Sequence, residues 1–107
     1  MNEQASSSLL FVDDEPNILS ALKRLFRPLG YQVFTAESGD AGLEILKGGT
    51  PIDLVVSDMR MPGMGGAEFL EQVRRQWPDV VRILLTGYAD MESTVAAINR
   101  GEIYRYI

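Results

Sequence analysis

Residues 53–66 read DLVVSDMRMPGMGG. A short β-branched run at 52–56 leads to one acid, Asp58, and then to a loop rich in Gly and Pro. Near-continuous apolar runs of this length suit parallel strands covered on both faces. Similar runs lie at 9–12 and 80–85, and further strand candidates at 31–35 and 103–107. Segments with helical spacing separate them. Ile18, Leu19, Leu22, Leu25, Phe26 and Leu29 form one broad apolar face. Pro16 fits a first helical position, with Asp14 or Glu15 as cap, and Gly30 fits the stop. Pro28 shortens or kinks the last turn. A second helix over 39–47 turns Ala41, Ile45 and Leu46 inward. A third over 67–77 buries Phe69, Leu70, Val73 and Trp77, and Pro78 blocks its continuation. A fourth starts after Asp90 as cap, buries Met91, Val95 and Ile98, and ends near Gly101.

Strand and helix alternate four times before a final strand. Such alternation predicts an α/β fold with a parallel sheet and right-handed crossovers. The expected form is a flavodoxin-like, doubly wound, five-stranded sheet of order 2-1-3-4-5. Residues 1–8 read as a polar tail and 9–107 as one domain. The sequence stops with strand five, so the helix that would finish covering one sheet face is missing and the domain reads as truncated. Apolar side chains left bare there favour association, and a homodimer is expected.

Composition narrows the functions. The chain has 107 residues, 46% of them hydrophobic and 23% charged, as in one small globular domain. It has no cysteine and no histidine. That removes disulfides, thiolate chemistry, Ser-His and Cys-His pairs, His-ligated metals and a phosphohistidine carrier. A net charge of −5 disfavours nucleic acid and anionic lipid as partners. No stretch approaches the roughly 20 apolar residues that cross a bilayer, so no membrane partner is expected. The opening MNEQASSS lacks the features of a signal peptide, and a cytoplasmic location is the simplest expectation.

The chemistry sits where strands end. Asp13, Asp14 and Glu15 follow the first strand, Asp58 the third, and Thr86 and Gly87 the fourth. In a 2-1-3-4-5 sheet the first and third strands are neighbours at the switch point, where ligands bind. Asp13, Asp14 and Asp58 would then converge. Crowded carboxylates repel, and Mg²⁺, which takes oxygen ligands and keeps exchangeable waters, relieves the repulsion. A phosphate-handling site follows, in which one carboxylate can attack phosphorus. Each residue also has a plainer reading. Asp14 or Glu15 alone fits a helix cap, Asp58 alone a turn, Thr86 alone a strand end, and Tyr106 a static strand aromatic.

The motifs LLFVDDEPN, DLVVSDMRMPGMGG, ILLTGYAD and GEIYRYI, in that order, resemble the receiver (CheY-like) domain of bacterial two-component response regulators. The resemblance spans 9–107. It implies that Asp58 is the phospho-acceptor, fed by a sensor histidine kinase. It implies that Asp14 ligates Mg²⁺ directly and Asp13 through water, and that the Arg60 backbone carbonyl is a further metal ligand. Thr86 matches the switch hydroxyl and Tyr106 the switch aromatic; Pro62 and Gly66 match the loop after the acceptor. Gly65 departs from the Asp, Asn or Ser common there. The Lys that receivers carry shortly after strand five falls beyond Ile107, and Arg105 lies too early in the strand to replace it.

The resulting reading is a phospho-accepting signalling domain, not a turnover enzyme, although receivers slowly hydrolyse their own aspartyl phosphate. Its face from helix four to strand five, 90–107, would control an output domain in a longer parent protein. A Mg²⁺-dependent phosphohydrolase would need a second Asp two residues after the nucleophile, and that position is Arg60. A flavodoxin-like cofactor carrier would need a Ser/Thr/Gly-rich phosphate loop where Asp13, Asp14 and Glu15 stand. A degenerate or truncated receiver, acting through protein contacts without efficient phosphorylation, is the remaining alternative.

Overall fold

The computed structural model describes residues 7–85. The predicted fourth helix, fifth strand, Thr86 and Tyr106 lie outside the described residues. Four strands run as β1 (Ser8–Val12), β2 (Gln32–Ala36), β3 (Leu54–Asp58) and β4 (Val81–Leu85). Three helices join them: α1 (Pro16–Phe26), α2 (Gly39–Lys47) and α3 (Gly66–Gln76). All strand pairs are parallel, in the order β2-β1-β3-β4. This is the α/β, doubly wound arrangement that the alternation predicted. No described helix is long and apolar enough to cross a membrane.

Side chains alternate across a strand, so each strand feeds two cores. Leu9, Phe11, Leu54 and Val56 face α1, where they meet Leu19, Leu22 and Phe26. Leu10, Val12 and Val55 face α2 and α3, where they meet Leu43, Leu46, Phe69 and Val73. The Phe11 and Phe26 rings stack with centroids 5.5 Å apart, and Tyr31 meets Phe26 edge-on. The chain therefore winds to β2 over one face and returns through α2 over the other. That reversal is what leaves β1 and β3 side by side.

The helix ends follow their local chemistry. After Phe26 the chain tightens into a 3₁₀ turn, Arg27–Leu29, that accommodates Pro28. Gly30 then stops it at φ 97°, a left-handed conformation open to glycine. Leu25, at the edge of the stripe that buries Leu19, Leu22 and Phe26, and Leu29, in the 3₁₀ turn, are exposed. In α2 the Ser38 hydroxyl accepts the Ala41 N–H at 3.1 Å, a standard N-cap. Its inward residues are Leu43 and Leu46, with Ala41 and Ile45 half-buried. In α3, Phe69 and Val73 are fully buried while Leu70 and Trp77 are half-buried.

The strands shift slightly from their expected bounds. Ser8, expected in the polar tail, is the buried first residue of β1. Its N–H donates to the Asp53 carboxylate at 2.8 Å, and its carbonyl accepts the Asp53 N–H at 2.9 Å. The Asp53 carbonyl accepts the Val81 N–H at 3.0 Å, so one residue ties three strands at the end remote from the acids. β3 starts later than expected and runs through Asp58, which pairs with Leu85.

Phe69 is 0% exposed and seats α3 on the sheet. Phe69→Ala is expected to lower unfolding free energy by about 3–5 kcal/mol, as buried aromatic truncations do. Urea denaturation followed by circular dichroism measures it.

Candidate metal and phosphoryl site

Register brings the acids together. Val12 pairs with Ser57 across the β1–β3 seam, so the next residue on each strand carries an acid. Asp13 still follows the ladder, its N–H donating to the Ala36 carbonyl at 3.1 Å. Carboxylate oxygens of Asp13, Asp14 and Asp58 all lie within 4.8 Å of one another. Asp13 is buried, Asp58 half-buried and Asp14 exposed. The cluster is therefore a shallow bowl with one closed side and one open to solvent.

The start of α1 is organised differently from the expected cap. Glu15 holds the N-cap position but makes no side-chain cap bond, and the Asp14 carboxylate makes none either. Instead the Asp13 carboxylate accepts the Glu15 N–H at 2.9 Å, a turn typical of Asp. This fixes the Asp13 side chain by a local bond and leaves the N-terminal turn to begin with Glu15 as backbone acceptor for Ile18 and Leu19. Of the two caps the sequence offered, Asp14 or Glu15, the structure places Glu15 at the N-cap, where it serves through its backbone carbonyl and not through its side chain.

Burial raises the affinity of Asp13 for a proton, and the Asp58, Asp14 and Glu15 charges raise it further against the Glu15 N–H. Asp58 is raised for the same first reason, burial, with the Asp14 charge adding to it. The backbone N–H groups of Met59 and Arg60 and the Arg60 charge pull the other way. An all-oxygen, all-anionic donor set of this kind fits a hard divalent cation such as Mg²⁺. It offers no nitrogen or sulfur donor, which excludes the softer metals as preferred occupants.

Backbone crowding holds the Asp58 end of β3. The Met59 N–H donates to the Leu85 carbonyl at 3.0 Å, extending the β3–β4 ladder past Asp58. The Met59 carbonyl accepts the Gly66 N–H, also at 3.0 Å, which closes the loop between them. The buried Ser57 hydroxyl donates to the Asp58 carbonyl at 3.0 Å. Gly66 packs so tightly that an added Cβ would overlap that same carbonyl. Gly66 was legible only as a loop residue; its role as a close-approach point, and that of Ser57, needed the folded backbone. Arg60 lies exposed on this loop, two residues past Asp58. The structure thus brings Asp13, Asp14 and Asp58 together, and Thr86 and Tyr106 lie outside the described residues.

A two-faced parallel sheet with acids at its switch point is the architecture of phosphoryl-receiving signalling domains. The sequence profile of the response regulator receiver domain matches residues 9–107, and the chain belongs to that family. Across 101 residues it is 40% identical to the hydrogenase transcriptional regulatory protein HoxA of Cupriavidus necator, covering 94% of this chain and 20% of that protein. The chain thus spans about a fifth of the length of that relative. The signal receiver domain of an HD domain-containing protein from Pseudomonas fluorescens superposes with a TM-score of 0.74 at 38% identity, covering 96% of this chain and 82% of that one. Response regulator TrrA from Thermotoga maritima, solved in complex with Mg(2+)-BeF, gives a TM-score of 0.71 at 37% identity, covering 86% and 79%.

Two expectations follow from the geometry. The raised affinities mean that the folded chain holds protons on Asp13 and Asp58 more tightly than the unfolded chain does. Their ionisation therefore opposes folding, fully at neutral pH, and the opposition fades as pH falls through the raised values. Asp13→Asn keeps the acceptor for Glu15 and removes one charge. In metal-free buffer at pH 7 it is expected to raise the melting temperature, with the advantage vanishing on acidification; thermal melts across pH check both parts. Gly66→Ala is expected to cost about 1–3 kcal/mol or more, since backbone and not a flexible side chain must yield; urea denaturation reads it.

Proposed function

We propose that this chain accepts a phosphoryl group on Asp58 and passes the event to an output domain. The observation that carries the reading is the convergence of three carboxylates, one of them at the end of the central strand β3. Asp13, Asp14, Asp58 and the Arg60 carbonyl would hold Mg²⁺. When bound, the ion supplies positive charge against the crowded acids and the incoming phosphoryl oxygens. Asp58 provides the nucleophilic oxygen: an O–P bond forms as the N–P bond of a phosphohistidine on a sensor histidine kinase breaks. Burial of Asp13 and the bond from Glu15 keep the neighbouring acid from swinging into the acceptor's place.

The downstream steps belong to the same proposal. The new phosphoryl oxygens give Thr86 an acceptor, Tyr106 moves into the space the hydroxyl vacates, and the 90–107 face repacks against its target. HoxA is named as a transcriptional regulator, which supports an output acting on transcription. The setting is cytoplasmic, and the role is that of a switch and not of a turnover enzyme. Arg60, exposed and cationic at the second position after Asp58, offers no general acid for a phosphohydrolase.

Acetyl phosphate with Mg²⁺ is expected to add one phosphoryl group per chain, seen by intact mass and mapped to Asp58. Asp58→Asn should abolish it, and chelation of the metal should suppress it. Labelling that persists in Asp58→Asn would refute the assignment.

A further inference from the structure

The loop between β3 and α3 is pinned at more points than its closing hydrogen bond. Two thioethers reach inward from it. Met61 is 8% exposed and joins the core under α2 and α3. Met64 runs sideways and packs against the first residue of α2: a Cβ added at Gly39 would lie 2.8 Å from the Met64 sulfur and 3.3 Å from its Cβ and Cγ. The Gln72 amide, one turn and a half into α3, donates to the same sulfur at 3.8 Å. The seat itself is firm, because Gly39 is buried and the Ser38 cap fixes the start of α2. Between the two thioethers Pro62 restricts one backbone torsion, and Gly63 reverses the chain at φ 76°.

We propose that Met64 is a positioning residue for the acid site. Its thioether, wedged between Gly39 and Gln72, sets the placement of the loop that carries Arg60 and continues from Asp58. The inference rests on the reading of the acids as a Mg²⁺ site. The physical link is short. The loop is a ring of six residues closed by the Met59 carbonyl and the Gly66 N–H. Displacing one anchor of such a ring shifts the peptides on its other side. Mg²⁺ demands near-ideal octahedral geometry, so it registers small displacements of its oxygen donors. Groups that only orient donors commonly change metal affinity by about 10–100-fold.

Gly39 supplies a clean test, because an added methyl would meet Met64 alone, its sulfur at 2.8 Å and its Cβ and Cγ at 3.3 Å, so the push falls on the root of that side chain as well as on its tip. Alanine also favours the helix over glycine. Magnesium chloride titrated calorimetrically into the 107-residue chain gives the affinity, and circular dichroism melts report folding. Gly39→Ala is expected to weaken Mg²⁺ binding by about threefold or more with no loss of thermal stability. Met64→Ala should weaken it by about tenfold, and Met64→Leu, which refills the seat, should restore it to within about twofold. In the Met64→Ala background, Gly39→Ala should add nothing. Equal affinity in wild type and Gly39→Ala overturns the proposal, even where Met64→Ala fails to fold. So does a Gly39→Ala loss that persists undiminished without Met64, since the effect then bypasses the thioether. A wild-type chain that takes up no Mg²⁺ overturns the metal reading itself, and the positioning role with it.

Discussion

Parallel pairing of β1 with β3 forces like charges together. Val12 opposite Ser57 means that the two strands release their chains side by side, and both chains continue into acids. The hydrophobic residues of the two strands drive this pairing: Leu9 to Val12 and Leu54 to Val56 are all nearly or fully buried. Core burial of that extent is worth about 1.5–3 kcal/mol per large apolar side chain. Repulsion among the three carboxylates, softened by solvent around exposed Asp14, is smaller than that sum. The fold can therefore hold three like charges together at the end of its sheet.

Around this seam the backbone is held with little slack. Asp58 is fixed by pairing with Leu85, by the Ser57 hydroxyl on its carbonyl and by Gly66 pressed against it. Asp13 is fixed by burial and by the Glu15 N–H. Asp14 is the least restrained of the three, being exposed and outside the helix cap. Restraint thus falls from Asp58 outward to Asp14 on the solvent side. At the far end of the sheet Asp53 performs a purely structural task with the same side-chain type. Two acids five residues apart differ in surroundings because Asp53 precedes β3 beside the Ser8 backbone N–H and Asp58 ends β3 next to carboxylates.

The sequence carried the architecture clearly. Strands with little interruption, helices punctuated by Pro16, Gly30 and Pro78, and acids at successive strand ends all rest on local rules that hold before folding. Strand bounds were less legible. Asp58 could not be assigned to β3 from its polarity, because its place in the strand is fixed by a partner, Leu85, that lies far along the chain. The inward face of α2 was read through Ala41, Ile45 and Leu46; Leu46 is buried, but the other side chain the sheet buries is Leu43, with Ala41 and Ile45 only half-buried. Which side of a short helix turns inward depends on the angle at which it docks.

The sequence by itself therefore determined the order of elements, the identity of the acids and the family to which they point. It did so because hydrophobic period, turn residues and strand-end position are properties of neighbours in the chain. Only the tertiary structure decided that the Asp13 carboxylate holds the Glu15 N–H ahead of α1, that Gly66 must lack a side chain, and that Met64 meets Gly39. Those facts depend on distances between atoms from separate segments, and such distances exist only once the sheet has brought the segments together.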